Sequence, residues 1–276
     1  MIHTTSKKEY INISDIIKNS QSDILKKLPG FIIRWIKTII KQDEINRVLT
    51  KYEAYTGIDF LPKMIEEFNI NLEIEGKENL PENGKCFFVS NHPFGVIDGL
   101  VLTYIVSEKY GDFKAIGNDA FLFLPQLRPL IAAVNVYGYS NKEYIKALDE
   151  VFNSDIPITH FPAGEVSRKY HGKIQDREWQ KSFITKSISC HRNVVPFYMY
   201  GKNSKTFYFI YMLRQLFGIK QNLELMLLPR EMFKKRNSTI KVKIGKPISY
   251  ESLQKETNHW DGAQKIRALV YELEKK

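Results

Sequence analysis

The chain has 276 residues, of which 43% are hydrophobic, and a formal net charge of +10. This length predicts one large core with an appended module, and two cysteines are too few for a disulfide framework. The excess of lysine and arginine favours a polyanionic partner, which is an anionic lipid surface, an acidic carrier protein or nucleic acid.

Residues 1–72 predict an N-terminal helical module. Its segment 31–41 has one polar helical face, formed by Arg34, Lys37, Thr38 and Lys41. Isoleucines occupy the opposite face, and Trp35 lies near the boundary. Such a helix either lies in a membrane interface or packs on the protein's own core.

The first nine residues are polar, so we expect no secretory signal peptide. Every uninterrupted apolar run is much shorter than the roughly 18 residues that a membrane-spanning helix needs, so we also expect no transmembrane helix.

Residues 73–276 alternate between strand and helix patterns. The strand patterns are 85–90, 114–117, 133–137, 157–161, 194–200, 224–228 and 238–245. The helical patterns are 99–109, 140–153, 178–189 and 260–274. Alternation predicts an α/β fold, with a mostly parallel sheet flanked by helices.

The most informative motif is Asn91-His92-Pro93-Phe94-Gly95-Val96-Ile97-Asp98, between a strand pattern and a helix pattern. It combines an imidazole with a carboxylate, which are the parts of a general base and its orienting partner. On a regular helix the two side chains would lie about 240° apart, so a pair requires the irregular backbone that Pro93 and Gly95 allow. The alternative is a loop histidine followed by an aspartate that caps a helix.

A second strand pattern leads into Phe161-Pro162-Ala163-Gly164-Glu165-Val166-Ser167-Arg168. This turn also carries an acid and a base, and parallel strands end at the same sheet edge. Glu165 and Arg168 are therefore candidates for substrate binding, with a surface ion pair as the alternative.

Other chemistries are disfavoured. No Gly-x-Ser-x-Gly, Walker-type or dinucleotide-binding glycine pattern occurs. The histidines and carboxylates lack paired zinc-ligand spacing, so no metal site is expected. His160 lies within an apolar strand pattern, so we expect its side chain in the interior. No nucleic-acid partner is expected either, because the aromatic residues lie mostly within apolar runs such as 207–211.

Four segments together resemble the glycerolipid acyltransferase family, typified by 1-acylglycerol-3-phosphate acyltransferase. Two are the motifs that contain His92 and Phe161, and they are similar to the family's Asn-His…Asp and Phe-Pro-x-Gly signatures. The third, Asn193 to Tyr198, looks like an apolar strand that ends in proline and lines the site. The fourth, Gly117 to Tyr137, lies where the family binds its acceptor. The resemblance covers about residues 80 to 200.

The resemblance implies direct transfer of a fatty acyl group from an acyl thioester to the hydroxyl of a lysolipid, in membrane lipid biosynthesis. His92 would be the base and Asp98 its partner. The implied substrate-binding residues are Asn91, Gly95, Asn118, Phe161, Pro162, Gly164, Glu165, Arg168 and Pro196. Backbone N–H groups at Gly95 or Gly164 are candidate donors to the oxyanion. No cofactor is expected to be bound, because acyl carrier protein or coenzyme A is a co-substrate.

The chain departs from the family pattern at several positions. Five residues separate His92 from Asp98, where the family has four. Ala163 stands where the family typically has glutamate, and the segment 134–139 lacks an arginine that would hold a phosphate. We therefore expect that the acceptor need not be lysophosphatidic acid, and that an amino-acid lysolipid is a serious candidate.

A lipid acceptor favours the membrane interpretation of residues 31–41. The expected organisation is a membrane-docking module at 1–72 and an acyltransferase domain at 73–276, peripheral on the cytoplasmic face of an anionic membrane. Two alternatives remain open. One is an acyltransferase with an aromatic or soluble acceptor, and the other is a non-catalytic basic lipid-binding protein.

Overall fold

The computed structural model describes residues 9–20, 23–117, 124–133, 141–256 and 258–275. Its N-terminal part is helical, as predicted: α1 (Ile13–Lys18), α2 (Asp23–Lys26), α3 (Gly30–Ile40), α4 (Gln42–Lys51) and α5 (Phe60–Phe68). No helix within the described ranges is both long and apolar enough to cross a membrane.

The later helices are α6 (Val96–Tyr110), α7 (Asn141–Asn153), α8 (Ser182–Ser189), α9 (Lys205–Leu216), α10 (Leu228–Phe233), α11 (Tyr250–Gln254) and α12 (His259–Glu272). The strands are β1 (Asn71–Glu75), β2 (Cys86–Ser90), β3 (Lys114–Gly117), β4 (Ile131–Ala133), β5 (Ile158–His160), β6 (Arg168–Tyr170), β7 (Lys173–Gln175), β8 (Asn193–Met199) and β9 (Thr239–Ile244).

Within the described residues, seven strands form one sheet in the order β1-β9-β8-β2-β5-β3-β4. Every neighbouring pair in this sheet is parallel except β8 and β9. Strands β6 and β7 form a separate antiparallel hairpin. The predicted α/β class with a mostly parallel sheet is confirmed.

Helices cover both faces of the sheet because its central strands are apolar on both sides. All five residues of β2 are buried, as expected for a strand covered by helices on both faces. Phe88 packs in a core with residues of α4, α5 and α6, whereas Phe87 packs in a second core with residues of α8 and α12. Helices α4 and α5 are thus part of the core on one face of the sheet.

The strand predicted at residues 224–228 is wrong. Leu223–Leu227 forms a 3₁₀ turn that leads into α10, with Pro229 in the first turn of that helix. Glu224 and Leu227 are buried here, while Leu223 and Leu225 are exposed. The pattern at 133–137 meets the sheet at β4, and its residues from 134 onward lie outside the described residues.

Glu67 of α5 is the centre of an ion-pair cluster that joins three parts of the chain. Its carboxylate lies 2.6 Å from Arg47, 2.7 Å from Lys51 and 3.2 Å from Arg236. Burial alone would raise the pKa of Glu67, but hydrogen bonds from Lys51, Arg47 and Tyr52 outweigh it and lower the pKa from 4.5 to about 2.

We predict that Glu67→Gln lowers the thermal stability at neutral pH. Its stability should also fall less than that of the wild type when the pH is lowered. Because the folded-state pKa lies below the unfolded value, the contribution of this carboxylate is complete above pH 4.5 and is lost as the pH falls towards about 2. Thermal unfolding followed by circular dichroism across this range measures the effect.

The matched control is Glu66→Gln, one residue earlier, where an exposed carboxylate pairs with Lys63 at 3.1 Å. Surface pairs of this kind contribute at most about 1 kcal/mol. Equal losses of stability in the two variants would contradict the role of the Glu67 cluster.

Candidate active site

The two predicted motifs meet at one edge of the sheet. Strands β2 and β5 are parallel neighbours, with Val89 opposite His160, so the segments that follow them emerge side by side. The rings of His92 and Phe161 stack there, with centroids 4.1 Å apart and planes 21° apart. Aromatic stacking thus fixes one face of the imidazole.

His92 and Asp98 form the expected pair, with 2.9 Å between Nδ1 and Oδ2. The Asp98 side chain is fully buried, whereas that of His92 is 17% exposed. Since a carboxylate accepts, the pair assigns the proton to Nδ1 and leaves Nε2 free to accept another. This is the protonation state that a general base requires.

The backbone between the two residues explains how five intervening positions permit this pair. The N–H groups of Phe94 and Gly95 donate to the same Asp98 Oδ2, at 2.7 and 2.8 Å. Gly95 has φ = 94°, a conformation that other residues rarely adopt. The turn therefore wraps around the carboxylate at the start of α6, where the helix dipole also favours negative charge.

Asp176 is a residue of the site that the sequence analysis missed. Its Oδ1 accepts from the backbone N–H of His92 at 3.1 Å and from the hydroxyl of Ser167 at 2.6 Å. Its Oδ2 accepts from the indole N–H of Trp179 at 2.9 Å. Burial raises the pKa of Asp176, although the bonds from Ser167 and Trp179 act in the opposite direction. Asp176 thus positions the backbone of His92.

Asn91 joins the ends of two central strands. Its amide group accepts from the N–H of Met199 at 2.7 Å and donates to the carbonyl of Met199 at 3.0 Å. Asn91 therefore holds the backbone beside His92. Pro196 lies further back, buried within β8 opposite Val89, and its carbonyl accepts from the N–H of Gly245.

The turn at residues 161–168 is held by its own hydrogen bonds. Gly164 has φ = 69°, and its N–H donates to the carbonyl of Phe161. The carbonyl of Pro162 accepts from the N–H of Gln180. Since the N–H of Gly95 also has an acceptor, Asp98, both backbone donors considered for the oxyanion are engaged within the protein.

The two charged residues of this turn differ in exposure. Glu165 is partly exposed and accepts from the hydroxyl of Tyr170 at 2.8 Å. Arg168 is 1% exposed; its Nε donates to Glu224 at 3.1 Å, and its Nη1 donates to the carbonyl of Val166. Its Nη2 is buried and has no hydrogen-bond partner among the described residues. Arg168 thus holds the turn from beneath.

Burial lowers the pKa of His160 to about 4, so its ring is neutral at physiological pH. Asn118 and most of the acceptor segment lie outside the described residues. Among those that the structure does describe, no cluster of three or more histidine, cysteine or acidic residues could hold a metal ion.

Comparison with known proteins decides the family. The profile of the family described as Acyltransferase matches residues 16–276. The chain belongs to this acyltransferase family. The family predicted from the four motifs is thereby confirmed.

Two curated relatives match nearly the whole acyltransferase chain. A lyso-glycine lipid O-acyltransferase from Phocaeicola vulgatus is 40% identical over 264 residues, which is 95% of each chain. One of the same name from Bacteroides thetaiotaomicron is 38% identical, over 95% of this chain and 97% of that protein.

Among solved structures, the fold is similar to that of the 1-acyl-sn-glycerophosphate (LPA) acyltransferase PlsC from Thermotoga maritima. The TM-score is 0.50, with 15% identity over 96% of this chain and 88% of that one. At this identity the likeness concerns the fold alone.

We predict that Gly95→Ala slows acyl transfer and destabilises this acyltransferase by about 1–3 kcal/mol. An added Cβ would lie 2.9 Å from Leu228 and 3.2 Å from Val166, in a backbone conformation that alanine rarely adopts. Transfer rates and denaturant unfolding measure the two effects. Gly99→Ala in the same segment is the control, because nothing lies within 4 Å of its added Cβ. A Gly95 variant as active and stable as that control would contradict this role of the turn.

Proposed function

We propose that this protein transfers a fatty acyl group from an acyl thioester to the hydroxyl of a lyso-glycine lipid. The observation that carries the proposal is the His92–Asp98 pair, with a free Nε2 at the carboxyl end of the central strands. The names of the two relatives, which match 95% of the chain, support the choice of acceptor.

In the proposed reaction, Nε2 of His92 removes the proton from the acceptor hydroxyl as its oxygen attacks the thioester carbonyl. The new C–O bond gives a tetrahedral oxyanion. When this intermediate collapses, the C–S bond breaks, and the imidazolium returns its proton to the leaving thiolate. No acyl-enzyme is needed, and general-base catalysis of this kind contributes roughly 10²–10⁴-fold.

Asp98 stabilises the imidazolium that forms during attack. Its full burial strengthens this interaction because no water screens it. Phe161 limits the rotation of the imidazole by stacking on it, and Asp176 fixes the backbone at His92. These residues act on orientation, which is a large part of catalysis when two substrates must meet.

The chemistry of the acceptor agrees with the sequence of the segment 134–139. A glycine head group carries a single carboxylate charge, whereas a phosphate monoester carries close to two and favours a bidentate arginine. No arginine occurs in that segment. Glu165, Gly164 and Asn118 remain proposed acceptor contacts, and Arg168 is proposed to act by holding the turn that carries them.

The test is acyl transfer by the purified protein, with acyl carrier protein and acyl coenzyme A compared as donors. The acceptor panel contains lyso-glycine lipid, other amino-acid lysolipids, lysophosphatidic acid and a soluble alcohol. We expect transfer to lyso-glycine lipid, and its loss in His92→Ala. Transfer to lysophosphatidic acid alone would overturn the acceptor, and undiminished transfer by His92→Ala would overturn the mechanism.

We predict that Asp98→Asn leaves the protein folded but slows transfer by roughly 10²–10⁴-fold. An asparagine oxygen can still accept from the N–H groups of Phe94 and Gly95, but it lacks the charge that stabilises an imidazolium. Near-ultraviolet circular dichroism checks the fold, and single-turnover kinetics give the rate of the chemical step. Wild-type rates would exclude the pair as the catalytic base.

A further inference from the structure

Helices α3 and α9 are distant in sequence but share one small apolar cluster. Phe207 and Tyr208 of α9 are buried in it with Leu227, and Ile39 of α3 packs against it. Both helices also contact the 3₁₀ turn Leu223–Leu227. The outer surfaces of α3, α9 and this turn are therefore neighbours.

This neighbourhood exposes many large apolar side chains. They are Phe31 and Trp35 of α3, Phe209, Met212 and Leu216 of α9, and Phe217, Ile219, Leu223 and Leu225 after it. We call this set the apolar rim. Leu216 and Phe217 are 76% and 70% exposed, more than Phe31 and Trp35 at 65% and 63%. Such a concentration of exposed apolar residues is uncommon on a soluble surface and marks an interaction site.

The chain segments that carry α3 and α9 are rich in basic residues and lack acidic ones. The sequence contains no aspartate or glutamate between residues 26 and 41, or between 199 and 223. Basic residues are frequent in both segments: Lys26, Lys27, Arg34, Lys37 and Lys41 in the first, and Lys202, Lys205 and Lys220 in the second. A basic border around apolar and aromatic residues complements the surface of an anionic bilayer.

A buried ion pair explains why the leucines of the turn face outwards. Glu224 is fully buried; its two oxygens lie 2.8 Å from Arg214 Nε and 3.1 Å from Arg168 Nε. Because Glu224 points inwards to these arginines, its neighbours Leu223 and Leu225 point to the surface. The fold thus uses a charged residue inside and exposes apolar ones, which is the reverse of the usual arrangement.

We propose that the end of α9 and the following residues 217–225 form a second membrane-inserting element, which enters an anionic bilayer beside α3. The apolar rim is linked to the catalytic pair, because Val166 and Leu228 of the shared cluster border Gly95. The choice of partner rests on the proposed lipid acceptor.

The first test is flotation of the full chain with vesicles of phosphatidylglycerol and phosphatidylcholine. We expect the double variant Leu216→Ser/Phe217→Ser to bind these vesicles roughly tenfold or more weakly than the wild type. The matched control is Ile145→Ser/Leu269→Ser, which removes two exposed apolar side chains from α7 and α12. The control should bind like the wild type, and wild-type binding should weaken on phosphatidylcholine alone.

The second test reports the depth of residue 217 directly. A tryptophan placed there, in the variant Trp35→Phe/Phe217→Trp, should shift its emission to the blue with vesicles and be quenched by brominated lipids. Trp179, which is fully buried, and Trp260, which is partly exposed on α12, remain in both reporter variants and supply the same background to each. The matched reporter, Trp35→Phe/Ile145→Trp, should show neither change.

The outcomes separate this proposal from the proposed reaction. With lysolipid dispersed in detergent, Leu216→Ser/Phe217→Ser should transfer acyl groups at the wild-type rate. His92→Ala should bind vesicles like the wild type but should not transfer acyl groups. Wild-type vesicle binding by the rim variant, an equal loss in the α7/α12 control, or an unshifted tryptophan at position 217 would overturn the second membrane element. If the wild type forms dimers and does not bind vesicles, and these dimers dissociate in Leu216→Ser/Phe217→Ser, the apolar rim would instead be an interface with a second copy of the chain.

Discussion

The carboxylate oxygen Oδ2 of Asp98 accepts three hydrogen bonds, and the geometry of the site depends on them. Two come from the backbone at Phe94 and Gly95, and the third comes from the His92 ring. One buried charge therefore shapes the turn, begins α6 and orients the imidazole. Removing that charge affects a structural element and a chemical group together, so the two roles must be separated experimentally.

A second carboxylate completes the support of the histidine from another part of the chain. Asp176 holds the backbone N–H of His92, whereas Asp98 holds its side chain. The hydroxyl of Ser167 also donates to Asp176, and the N–H of Ser167 donates to the carbonyl of His92. The turn after β5 is thus bonded to the segment after β2, which is how two sequence motifs become one rigid site.

The sequence predicted the parts of the fold where local pattern and tertiary environment agree. The apolar runs of β2, β3, β5, β8 and β9 became strands, and His92 paired with Asp98. Asp176 could not be found, because it lies in a polar stretch without a motif and acts across 84 residues. The strand expected at 224–228 failed because its apolar residues do not all face inwards: Arg168 and Arg214 draw Glu224 to the interior, and Leu225 is exposed.

The position of β9 in the sheet affects the order in which the protein is completed. Strand β1 pairs with β9 from Asn71 opposite Thr239 to Glu75 opposite Lys243, and β9 is its described neighbour in the sheet. During synthesis, β1 and the helices before it emerge long before this partner. The edge of β8 that β9 covers also stays open until then. The nascent chain therefore contains both His92 and Asp98 while β1 and one edge of β8 still lack a partner strand. Unpaired strand edges at this stage invite association with other chains.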